Sequence, residues 1–318
     1  MSTFGSASFR RRPAIRVVLT LFGLGLLVWF AWYSRDELRQ LFANCDPGLL
    51  AVSIILGVVF TSIQALLFAS LVGKHGDQAG SRALASAYLV SQPGKYIPGK
   101  VWSLIMQSFA LDNRTRFSHI AVANIELAIL STIQAVVMGL ALVYADSPVA
   151  ACFVFATGLI FCAIVSVLPL ADWLKRLTPK LSSVLGLAVD PAGMHRLGIP
   201  RALGLNAAGM VGNLVASWCV LLAVGAEISD ADRVPILASL YLGIAVSILA
   251  IPVPAGLGVR EAAAVGMGAV LAPTLSASTI ISMVLFFRCW QILVDIGCAL
   301  LGAILACCWK IPESQSRS

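Results

Sequence analysis

Apolar residues in this chain come in long unbroken runs rather than at a helical or strand period. The runs are Ala14–Tyr33, Leu49–Val72, His119–Tyr144, Val149–Leu168, Ala202–Val224 and Ser276–Trp309. A helix of about 20 residues rises ~30 Å, the thickness of a bilayer's hydrocarbon core. Helices that are apolar all round need lipid or a large core around them. The pattern therefore predicts an all-α polytopic membrane protein with about six full spans, built as a single integral membrane domain over residues 1–318. The first run follows Arg10, Arg11 and Arg12 and ends in Trp29-Phe30-Ala31-Trp32-Tyr33. It is too long for the apolar core of a signal peptide, and no small-residue cleavage site follows it, so it reads as a retained span with an aromatic belt.

Two further apolar stretches, Ala83–Ala110 and Pro235–Leu271, are interrupted. The first carries Pro93, Gly94, Pro98 and Gly99, and the second Pro252, Pro254, Gly256 and Gly258. Proline removes a backbone donor and glycine permits a sharp reversal, so each stretch predicts a broken helix. The piece before the first break, Ala83 to Gln92, reaches only ~15 Å, half the core. The breaks lie about 155 residues apart, each preceded and followed by a long span. Read as re-entrant hairpins, they make an inverted repeat of halves 49–144 and 202–309, the first hairpin entering from the cytoplasm and the second from outside. Paired broken helices at matching positions of two halves are a sequence pointer to a transporter's binding site. The alternative is an eight-span bundle with Pro-kinked helices.

Composition agrees with the runs. Charged residues make up 12% of the chain against ~25% in ordinary soluble domains, and the mean hydropathy is +0.92. A soluble two-domain enzyme and a disordered chain are both excluded. The net charge of +7 sorts by side. With the N-terminus cytoplasmic, 15 of the 22 Lys and Arg fall inside, Arg35, Arg39 and Arg233 fall outside, and four lie in membrane segments. Had either hairpin crossed, the basic loops would alternate sides. This is the positive-inside bias, with contact to anionic lipid, and it removes any need for a nucleic-acid partner. Both termini are expected in the cytoplasm, with Cys45 and residues 227–233 outside. Eight cysteines show neither a CxxC pair nor zinc spacing, and His75, His119 and His195 are far apart. No metal and no cofactor are expected. Every cysteine except Cys45 reads as a small buried hydrophobe.

Seven ionisable residues fall in the membrane segments: Lys95, Lys100, Glu126, Arg260, Glu261, Arg288 and Asp295. Each costs at least ~2.5 kcal/mol at a bilayer centre, so each should face protein or a polar cavity. Arg288 and Asp295, seven residues apart with Gln291 between them, share one helix face. Both breaks feed a helix N-terminus, whose free N–H groups favour an anion. Surplus positive charge among these residues matches a phosphate or another anionic headgroup. The competing reading makes Arg260 and Arg288 partners in buried ion pairs with Glu261, Glu126 or Asp295. Lys95 and Lys100 could instead snorkel to the cytoplasmic surface. Gln64, Gln92, Gln134, Asn206 and Asn213 read as interhelical hydrogen-bond partners. Trp102, Trp218 and Trp290 read as core or interface aromatics.

At the two breaks the sequence resembles the lysylphosphatidylglycerol synthase transmembrane, or flippase-like domain, family. The matching stretches are Gly94-Lys95-Tyr96-Ile97-Pro98-Gly99-Lys100-Val101-Trp102 and Pro252-Val253-Pro254-Ala255-Gly256-Leu257-Gly258-Val259-Arg260-Glu261, with Arg288 following on the last span. The second resembles a Pro-x-Pro-x-Gly-x-Gly-x-Arg-Glu pattern, with Ala255 where many members have Gly. The resemblance implies an inner-membrane protein of a prokaryote that moves or presents lipids such as aminoacylated phospholipid or a polyprenyl-phosphate-linked sugar. Bifunctional members carry a soluble aminoacyl-transferase domain after the membrane part. This chain stops nine residues beyond Trp309, so no synthase activity is expected. A glycosyltransferase partner is implied by the resemblance alone. Three functions compete. A flippase would bind lipid phosphate through Arg260, Arg288, Lys95 and Lys100, supported by Glu126, Glu261, Asp295 and Gln291. An accessory protein would hold lipid for an envelope enzyme. A transferase would use Glu126 or Glu261 as base, but no metal cluster, DxD-like loop or nucleotide domain accompanies it, so the expectation is that the protein is not an enzyme.

Overall fold

A computed structural model describes residues 28–29, 32–33, 35–75, 79–96, 102–111, 115–168, 198–225, 228–249 and 258–307. Ten α-helices occur among these residues, and no strand. They are α1 (Arg35–Asn44), α2 (Pro47–Lys74), α3 (Ser81–Val90), α4 (Trp102–Ala110), α5 (Phe117–Val143), α6 (Pro148–Val167), α7 (Ile199–Val224), α8 (Asp230–Leu249), α9 (Val259–Leu271) and α10 (Ala277–Cys307), with a 3-10 turn at Gln92–Tyr96 between α3 and α4. Six of them are long and apolar enough to cross a membrane: α2, α5, α6, α7, α8 and α10. Five coincide with the apolar runs. The first run, Ala14–Tyr33, lies almost wholly outside the described residues.

The sixth long helix is α8, which lies in the stretch that the sequence read as the second hairpin. Pro235 sits inside it without breaking it. So near the start of the helix a proline removes a single interior hydrogen bond, and the remaining turns propagate. The two interrupted segments therefore differ in size. Helices α3 and α4 have 10 and 9 residues, whereas α8 and α9 have 20 and 13. In the second segment, Thr274 Oγ1, just past α9, donates to Asp232 Oδ1 in the first turn of α8 at 2.6 Å. Helix α9 thus finishes at the end of the bundle where α8 begins.

Asp46 caps α2 by accepting from the N–H groups of Gly48 and Leu49 at 2.7 and 3.1 Å, with Pro47 in the first turn where its missing N–H costs nothing. Its own N–H donates to Ala223 O at the far end of α7, so α2 and α7 run antiparallel as close neighbours. Helix α3 packs on α10, and α8 packs on α5. The first arm of each interrupted segment therefore lies against the long helix that follows the other. Polar side chains stitch the bundle together: Gln134 donates to Asn206 at 2.8 Å between α5 and α7, and Tyr241 to Asn213 at 3.2 Å between α7 and α8. Gln92 instead donates locally to Tyr88 O, so it joins no two helices through that bond.

Large apolar side chains point outward in number. Val149 is 82% exposed, and Phe153, Ile160, Leu300 and Ile304 are also exposed. Such a surface belongs in lipid, since soluble monomers rarely show contiguous apolar patches of this kind. The protein is a multi-pass membrane protein. The cysteines correct one expectation: Cys162 and Cys298 are buried, but Cys152, Cys289 and Cys307 are exposed on their helices. Lipid tails are as apolar as a protein core, so an apolar run does not reveal which side chains face inward.

Candidate functional site

The i, i+3, i+7 spacing of Arg288, Gln291 and Asp295 puts all three on one face of α10, and both broken segments bring side chains to that face. The 3-10 turn of the first break supplies Lys95 and Tyr96. Lys95 Nζ lies 2.8 Å from Asp295 Oδ1 and 2.7 Å from Oδ2, and Tyr96 donates its hydroxyl to Oδ2 at 2.5 Å. The second break supplies the first turn of α9. There Arg260 donates to Gln291 Oε1 at 2.7 Å, and Glu261 Oε1 stands 3.6 Å from an Arg288 guanidinium nitrogen. The Tyr96 ring closes the group, with the Arg288 guanidinium carbon 5.3 Å from its centroid, within cation–π range. Arg260, Glu261, Arg288 and Asp295 are buried, while the Lys95 side chain is 34% exposed.

Local sequence explains how α9 starts here. Gly258 has φ 79°, a left-handed conformation that favours glycine, and turns the chain into the helix. Glu261, three residues on, accepts the Gly258 N–H on Oε2 at 2.8 Å, the carboxylate half of a capping box. One oxygen of Glu261 thus caps α9 while the other faces Arg288. The positive end of α9, which the sequence suggested for a bound anion, is already served by the chain's own carboxylate. Gly243 lets α8 and α9 approach closely: a Cβ there would stand 2.9 Å from the Arg260 carbonyl oxygen and 2.8 Å from the Ala264 side chain.

Five of the expected site residues therefore meet together with Lys95: Arg260, Glu261, Arg288, Gln291 and Asp295. Pro93 lies in the 3-10 turn beside them in sequence, and Gly258 at the N-cap of α9. Lys100, Pro98, Gly99, Pro252, Pro254 and Gly256 lie outside the described residues. Glu126 does not join the group. It pairs with Lys74 Nζ at 3.1 Å in a separate buried cluster. Lys74, which follows the apolar run Leu49–Val72, is buried in the last turn of α2, where two backbone carbonyls at the end of α6 also hold its ammonium. Tyr96 was overlooked as a site residue. Its signal was an aromatic beside a lysine within a helix break, which serves equally well as packing.

The group holds three cations, Lys95, Arg260 and Arg288, against two carboxylates, Glu261 and Asp295. Arg260 is the cation whose hydrogen bond goes to a neutral amide, and among the described residues it forms no ion pair. Five donors on a buried guanidinium are more than one amide oxygen can use. Such a group can grip an anion bidentately. Neither a curated protein nor a solved structure is similar enough to this chain to count as a match. The family model for the lysylphosphatidylglycerol synthase TM region matches residues 14–297, which include both breaks and the Arg288–Asp295 face, and the chain belongs to that family.

Proposed function

We propose that the protein is a lipid flippase of the prokaryotic inner membrane, holding the phosphate of an anionic lipid or polyprenyl-phosphate-linked glycolipid against Arg260 and Arg288. The observation that carries this reading is the meeting of both breaks on one face of α10, with one more cation than carboxylate and Arg260 bonded to a neutral partner. A phosphate oxygen would complete the Arg260 donors, while the lipid's tails stay in the bilayer. The exchange of partners between α3–α10 and α5–α8 supports an inverted repeat of two halves around this face. In that arrangement Lys95 arrives with one half and Arg260 with the other, so movement of either half would change the hold on the phosphate. Lys100 is proposed to join Lys95 at the first break.

The test is translocation of a labelled anionic lipid in liposomes, followed by its accessibility to an impermeant quencher. Wild-type protein should move the label, and Arg260→Ala should slow movement at least tenfold while inserting and folding normally. Arg260→Lys should recover only part of the rate, because an ammonium acts as a point charge and cannot grip two oxygens in a fork. Saturable binding of the lipid without movement would assign the protein instead to an accessory role, presenting lipid to an envelope glycosyltransferase. An unchanged rate in Arg260→Ala would overturn the site.

A further inference from the structure

A second buried cluster lies apart from the arginines, where the end of α2 meets the first turns of α5 and the end of α6. It contains Lys74, His75, His119 and Glu126. Lys74 Nζ donates to Glu126 Oε1 at 3.1 Å and to the carbonyls of Ser166 and Leu168 at 3.1 and 2.6 Å. Three acceptors fit the three protons of an ammonium, so Lys74 is the fixed positive charge that balances Glu126.

His75 is placed differently. Its Nε2 stands 3.4 Å from the same Glu126 Oε1, and among the described residues neither of its ring nitrogens makes a hydrogen bond and Glu126 Oε2 makes none either. The His75 side chain is 2% exposed and that of Glu126 0%. Buried polar atoms are normally partnered, and those left open mark a place where something else binds. The charged and titratable groups facing His75 are Glu126 and His119 from α5, the latter 6.3 Å ring to ring, and Lys74 from α2. Helix α6 contributes backbone carbonyls. Asp77, Asp112 and Arg114 fall outside the described residues. Among the described residues no three His, Cys, Asp or Glu converge as metal ligands, so the cluster suits a proton better than a metal ion.

We propose that His75 and Glu126 form a proton-binding site: a proton from water adds to the His75 imidazole, whose Nε2–H then donates to Glu126 beside the fixed Lys74 ammonium. No bond other than that to the proton forms or breaks, and the cluster gains one positive charge. The charge appears next to α5, the helix that also braces the first break. On α5, Asn124 donates to Gln107 at 2.8 Å, and Gln107 donates to Ser91 at 2.9 Å, one residue before the 3-10 turn that carries Lys95. This site does not depend on the lipid-phosphate reading.

The test is a pH titration of the full chain in lipid nanodiscs with ring-15N-labelled histidine. The chain has three histidines, so His119→Gln and His195→Gln assign the His75 signal by elimination. The His75 ring signals should change with pH across roughly pH 5 to 8, and the midpoint of that change should fall in Glu126→Gln, which removes the carboxylate beside it. Should Glu126→Gln fail to fold, Glu126→Asp keeps the charge but draws it back by one methylene, and a smaller fall is expected. A His75 signal flat across that range, or a midpoint that ignores the change at position 126, overturns the proposal. Lipid movement is not read in this experiment, so failure of the flippase reading leaves its outcome unaffected.

Discussion

Asp295 accepts from Lys95 on Oδ1 and from Tyr96 on Oδ2, with the Lys95 ammonium also 2.7 Å from Oδ2, so substitutions at the two ends of this pair should not cost the same. Lys95→Met strands a carboxylate that is 3% exposed, and breaking a buried pair in this way costs up to ~3 kcal/mol. Asp295→Asn leaves instead a lysine with a third of its side chain already exposed, which can turn toward solvent, and the screened pair is worth less from that side. Thermal unfolding of the two single variants and the double variant should show Lys95→Met as the worst and the double variant as partly recovered. Equal losses would mean that the pair is not the unit. Spacing along the last span made the Arg288–Asp295 face legible, because seven residues return a helix to nearly the same azimuth. It could not choose among the partners, which arrive from segments about 30 and about 200 residues away in sequence. Of the carboxylates weighed for the two arginines, Glu261 is the one that faces Arg288, while Asp295 pairs with Lys95. Glu126 was misplaced for the same reason, since its partner Lys74 ends an apolar run and looks like a loop cation from sequence alone.

At the scale of elements, the start of α9 is where local chemistry and site geometry coincide. Glu261→Ala removes both the acceptor for the Gly258 N–H and the carboxylate near Arg288. Glu261→Gln keeps an acceptor for that N–H and loses only the charge. The difference in stability between these variants should be about 1 kcal/mol, the worth of a helix cap, with Glu261→Ala the less stable. Gly243→Ala tests the approach of α8 to α9. The added methyl would meet the Arg260 carbonyl at 2.9 Å and the Ala264 nitrogen at 3.0 Å, and these backbone atoms cannot swing aside. Overpacking of this kind costs ~1–3 kcal/mol, offsetting the ~1 kcal/mol that alanine gains in a helix interior. A lower melting temperature together with weaker lipid binding is expected, because the strain shifts Arg260; binding that survives unchanged would separate the close approach from the site. Long helices were readable to within three residues because an apolar run ends where the lipid does. Helix α1 was not, being short and amphipathic, with Leu41 buried and Phe42 placed 4.9 Å from Phe286. Nor was the start of α8, because Asp230, Asp232 and Arg233 ahead of Pro235 are charged and fall outside the apolar stretch.

For the whole molecule, the decisive quantity is which end of the bundle faces the cytoplasm. Contacts bring the start of α2, the end of α7, the start of α8 and the end of α9 to one end. The positive-inside expectation puts that end outside, with Arg35, Arg39 and Arg233 its few cations. Cys45 sits there, between α1 and α2, and is the one described cysteine outside the helices. Partial burial pushes its thiol up from the ordinary range, and the neighbouring Asp46 carboxylate pushes in the same direction. Only the thiolate reacts with a maleimide, so at neutral pH Cys45 should label more slowly than a free thiol and accelerate as pH rises. Cys152, Cys289 and Cys307 are exposed on helices bathed by lipid, where a charged, impermeant reagent does not reach. Whole cells treated with such a maleimide should therefore gain one label per chain at Cys45, faster at pH 9 than at pH 7. A cysteine introduced at Lys180 in a Cys45→Ser background should label only after the cells are opened. Labelling of position 180 from outside, with Cys45 protected until lysis, would invert the molecule, put the Lys74–Glu126–His75 cluster on the outer face, and give the proton proposed for His75 the opposite compartment as its source.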